Sequence, residues 1–195
     1  MSKNKTYISN LTLSAMFLAL CIVLPLLTGQ IPQIGSMLLP MHIPVLLCGL
    51  ICGWQYGLIV GFIAPLLRGA VFGIPVLYPN GIAMAFELAT YGAVIGLLYA
   101  HSRWQCVIAL YRSMIISMLA GRVVWGVIKL VLMGISGDAF TWKMFMAGAF
   151  LNAIPGIILQ LVLIPAIMVT LNRTGLVHFR HGTAGISEGR VKNGM

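Results

Sequence analysis

The chain alternates stretches of about 20 apolar residues, each as long as a helix needs to cross the hydrocarbon layer, with short polar connections. Residues 9–28 and 81–100 satisfy this length, as do 107–134 and 144–171. Only 8% of the residues are charged, against about 25% in a soluble domain. So few charges cannot cover a water-facing surface, so most of the surface faces lipid. The expected class is an all-α, polytopic inner-membrane protein. The net charge of +9 does not indicate nucleic acid, because the basic residues gather mainly at the ends and in one short connection and not on one amphipathic face. That distribution is the orientation signal of a membrane protein. Lys3 and Lys5 precede the first apolar run, but that run ends in Gly-Gln-Ile-Pro-Gln and has no small-x-small cleavage site. It is read as a retained first span and not as a signal peptide.

The stretch between Ile43 and Leu67 is either one long span or two short ones hinged at Gly53-Trp-Gln-Tyr-Gly57. Charge placement decides. With two helices there are six spans, both termini are cytoplasmic, and Lys3, Lys5, Arg103, Arg112, Arg173, Arg180, Arg190 and Lys192 all lie inside, as the positive-inside tendency requires. A single span would put Arg103 and the basic C-terminal tail outside. The glycine-flanked aromatic pair also suits a tight turn at a membrane surface. Residues 1–176 therefore form one six-span domain with short second and third helices, and 177–195 form a cytoplasmic tail expected to be disordered. Three outer connections remain, at 29–42, 71–80 and 135–142. The first two are rich in Pro, Gly and polar residues; they either lid a pocket or are plain surface turns.

Charges at membrane depth are costly and by default mark function. Glu87, one of only three acidic residues, sits well inside the fourth span, and Arg68 closes the third near the outer face. Arg122, Trp125 and Lys129 are spaced i, i+3, i+7, so one stripe of the fifth span carries two cations and an indole. Asn80, Glu87 and Tyr91 fall close to one face of the fourth, and Asn152 and Gln160 share a face of the sixth. Each also has a structural reading. Glu87 can form a buried ion pair with Arg122 or with Arg68, Lys129 and Arg112 can snorkel to headgroups, Trp125 can fill the bundle, and the amides can bond between helices. Together, three cations and one acid in the outer half favour a small anionic ligand, its carboxylate held by arginine. Cys21, Cys48, Cys52 and Cys106 lie in or beside apolar runs without a ligand set around them, and are read as small buried side chains.

The segments LPMHIPVLLCGLICG at 39–53, GLIVGFIAPLLR at 57–68, AMAFELATYG at 83–92, GRVVWG at 121–126 and NAIPG at 152–156 carry a resemblance over nearly the whole chain. In order, they resemble the substrate-binding S components of energy-coupling-factor (ECF) vitamin transporters, and look closest to the pantothenate type. The resemblance implies six spans, capture of a vitamin from outside, and import powered by a coupling membrane protein with two cytoplasmic ATPases. Ala15 and Ala19 match the family's Ala-x-x-x-Ala motif, which packs on the coupling protein. Small residues four apart permit such close approach. No enzymatic activity and no cofactor is implied, and the chain has no Gly-x-x-x-x-Gly-Lys-Ser/Thr phosphate loop. The substrate site is expected at Arg68, Glu87, Arg122, Trp125, Lys129 and Asn152, with Tyr78, Asn80 and Tyr91 as outer contacts and the loop at 29–42 closing over the ligand.

Two other classes compete. Gly134-Ile-Ser-Gly137 resembles the nucleophile motif of rhomboid proteases, but the sixth span carries no histidine to activate Ser136. A self-sufficient proton-coupled carrier would rely on an intramembrane carboxylate, for which Glu87 is the candidate.

Overall fold

The computed structural model describes residues 3–27, 40–102, 106–136 and 154–174. Among them are six α-helices and no strand: α1 (Lys3–Leu27), α2 (His42–Ile51), α3 (Trp54–Phe72), α4 (Ile82–His101), α5 (Val107–Ser136) and α6 (Ile154–Arg173). A π-helical turn at Leu77–Gly81 leads into α4. Five helices are long and apolar enough to cross a membrane. The exception, α2, has 10 residues and spans about 15 Å, half the hydrocarbon thickness. The tail at 177–195, most of the outer connections at 29–42 and 135–142, and residues 144–153 of the expected last span lie outside the described residues.

The break between α2 and α3 falls at Gly53, whose φ of 102° suits glycine alone. Trp54 to Gly57 already belong to α3. The expectation of two short helices holds for α2 and fails for α3, which runs 19 residues. The sequence places Arg68 at the end of the apolar run, yet its side chain is buried and the helix carries past it. It stops only at Gly73, left-handed at φ 71°, whose N–H donates to the Gly69 carbonyl.

In lipid no hydrophobic force drives helices together, so close van der Waals packing over small residues must do so. α4 lies at the centre, packed on α2, α3 and α5, while α1 leans on α2 and α3, and α6 on α5 and α2. A Cβ at Gly57 would sit 2.7 Å from Gly49 Cα and 2.8 Å from the Gly92 carbonyl oxygen, and one at Gly92 would sit 2.8 Å from Gly57 Cα. Gly92→Ala is therefore expected to force α3 and α4 apart and to destabilise the protein by about 1–3 kcal/mol, read as a lowered unfolding midpoint in detergent. Leu46, Leu88, Tyr91, Ile95, Leu110, Met114, Ile164 and Met168 fill the interior. Ile59, Ile108, Val123, Ile158 and Val162 point outward, as side chains facing acyl chains do.

Candidate functional site

The close packing of α4 sets the site. Glu87, in the second turn of α4, is 1% exposed, and three side chains converge on its Oε1. Arg122 Nη1 on α5 lies 3.0 Å away. The Tyr91 hydroxyl, one turn along α4, donates to it at 3.0 Å, and His42 Nε2 lies 3.7 Å from it. The His42 and Tyr91 rings stack obliquely, with centroids 5.3 Å apart. The missing side chain of Gly121 makes this possible, because a Cβ there would run into the Tyr91 ring. A carboxylate withdrawn from water is tolerable only with such partners.

Arg68 on α3 is 8% exposed. Its Nη1 reaches the Met41 sulfur at 3.6 Å, and its Nε has no hydrogen-bond partner among the described residues. The acidic residues of the whole chain are Glu87, Asp138 and Glu188. Glu87 is taken by Arg122, and the other two lie outside the described residues. Arg68 is thus a buried cation with no carboxylate beside it among the described residues. Lys129 rests over the Trp125 ring, 5.9 Å from its centroid, a cation–π contact.

Depth follows from register. Gly57 and Gly61 of α3 face Gly92 and Leu88 of α4, which brings the Arg68 backbone level with Gly81, about 9 Å along the axis from Glu87. Lys129 stands seven residues from Arg122 on α5, about 10 Å farther on. The site therefore has two tiers. One holds Arg68 and Lys129, near the end that carries the 73–81 connection; the other holds His42, Glu87, Tyr91 and Arg122. Gln160 of α6 is 1% exposed, and its Nε2 has no partner among the described residues.

Of the expected site residues, the structure brings Glu87, Tyr91 and Arg122 into direct contact, pairs Trp125 with Lys129, and ties Arg68 to Met41. Tyr78 and Asn80 are exposed in the π-helical turn. The Tyr78 hydroxyl donates to the Leu132 carbonyl at 2.7 Å, which fastens this connection to α5. Tyr78→Phe is expected to loosen it, a change visible as several-fold faster hydrogen exchange of the amides at 76–81. Asn152 lies outside the described residues. Ala15 and Ala19 are exposed on α1. Sequence reasoning did not select His42. The available signal was a histidine opening an apolar helix, the only one so placed among the described residues.

The family model for the ECF transporter substrate-specific component matches residues 9–168 of the chain. No curated protein and no solved structure matches it.

Proposed function

The chain belongs to the substrate-specific components of ECF transporters, and on that footing we propose that it captures a small anionic vitamin, pantothenate first among them, for import. Members of this family are multi-pass membrane proteins that serve transport and are not enzymes. In this reading α2 dips into the bilayer as the short second of six spans, both termini are cytoplasmic, and the membrane is the bacterial inner membrane. The exposed Ala15 and Ala19 present α1 to a coupling membrane protein, and two ATPases supply the energy. Ser136→Ala is expected to leave binding unchanged, since no step of this function uses a nucleophile.

The observation that carries the anionic assignment is Arg68. A buried guanidinium is costly without a counter-charge. Glu87, the acid at membrane depth, is engaged by Arg122 at 3.0 Å. A ligand carboxylate supplies what Arg68 lacks, and its two oxygens match the guanidinium fork. Glu87 then orients Arg122 and is not itself the group that meets the substrate's charge. Reconstitution tests the division of labour. Proteoliposomes holding only this chain are expected to bind labelled pantothenate without accumulating it, and to accumulate it once the coupling protein and ATPases are added with ATP. Accumulation by the chain alone would identify a self-sufficient carrier.

A further inference from the structure

We infer that the site is bipolar: Arg68 takes the ligand's anionic group, while Arg122 and Gln160 take an uncharged, oxygen-bearing end of the same molecule, an amide carbonyl or a hydroxyl. This rests on the reading of the chain as a capture subunit and specifies what that subunit selects.

The two tiers differ in net charge. At Arg68 a cation stands without a carboxylate among the described residues, and an anion placed there is stabilised. At Arg122 the cation is already matched by Glu87 Oε1. A second carboxylate at that point would lie beside Glu87, and like charges at such range repel strongly in a medium of low dielectric. Yet Arg122 keeps two buried donors, Nε and Nη2, without partners among the described residues, and Gln160 Nε2 is a third. α5 and α6 pack on each other. Arg122 stands fifteen residues from the start of α5 and Gln160 thirteen from the end of α6, each in the interior of its helix. Three buried donors on two helices that pack together, with the Arg122 charge already balanced by Glu87, call for neutral acceptors and not for a second anion. The ligand class that satisfies both tiers is a monoanion with an amide or hydroxyl head set apart from its acid group.

Pantothenate and pantothenol, in which a primary alcohol replaces the carboxylate, are the probes, with affinity read by calorimetry on the purified full chain. The wild type is expected to prefer pantothenate at least tenfold. Arg68→Gln is expected to erase that preference. Gln160→Leu is expected to weaken both probes by the same factor, tenfold or more, and to keep the preference. The inference is overturned if Gln160→Leu leaves both affinities unchanged or abolishes the preference. If the wild type binds neither probe, the vitamin assignment fails, and the ligand-free unfolding midpoint decides on the inner tier. There Gln160→Leu is expected to leave the midpoint unchanged or raise it, because it removes a buried amide donor that has no partner among the described residues. A fall of several degrees would show that the amide has a structural partner, and would overturn the inference.

Discussion

Replacing Arg68 by alanine is expected to cost about 2–5 kcal/mol of binding to an anionic ligand, which is roughly 30-fold to several-thousand-fold in Kd. The size follows from burial. In water the same ion pair contributes about 1 kcal/mol or less, but at 8% exposure the guanidinium has little water to fall back on. Arg68→Lys is expected to recover part of the loss, since it restores the charge but not the two-pronged geometry. Arg112→Ala is the control. Arg112 is also a cation on a spanning helix, but it is exposed in the early turns of α5 and touches nothing in either tier. It is expected to leave affinity unchanged, and equal losses at the two positions would remove Arg68 from the site.

The second large effect concerns stability. Glu87→Ala strands the Arg122 guanidinium in the bundle with its charge unmatched, which is expected to destabilise the protein by about 3–5 kcal/mol. It also deprives the Tyr91 hydroxyl of its acceptor. The double variant Glu87→Leu with Arg122→Met removes both charges and keeps the volume, and is expected to recover most of the lost stability, because apolar replacement of a buried ion pair is often neutral. It is not expected to recover ligand binding, since the donors of Arg122 are gone. Unfolding midpoints and ligand affinity of the three proteins separate the two roles. A double variant as unstable as Glu87→Ala would mean that the ion pair is not the reason for the instability.

The long helices were legible in the sequence because lipid imposes a minimum length on them, and Gly53 marked the turn between α2 and α3 by its residue type. Pairing between helices was less legible. From the sequence Glu87 could meet Arg68 or Arg122, since both are cations at the right depth. The choice was made by close approaches across helices, Gly57 against Gly92 and Gly121 against the Tyr91 ring, which fix register by contacts far apart in the chain. The length of α3 is hidden in the sequence for a related reason. An arginine at the end of an apolar run looks like a boundary until a partner such as the Met41 sulfur is seen beside it. The sequence does not single out His42 as a site residue, because its role depends on α2 starting level with Glu87, and no local pattern records that. Gln160 carried an ambiguous signal, since an amide that bonds between helices and one that meets a ligand have the same spacing.

Calorimetry of the purified full-length chain against a panel of vitamins, without ATP and without partner proteins, tests the assignment most directly. The expected result is tight binding of one anionic member, pantothenate first, with cationic vitamins such as thiamin showing no heat. Binding of a cationic vitamin, or of none in the panel, would contradict the assignment of Arg68 as the anchor of an anionic substrate.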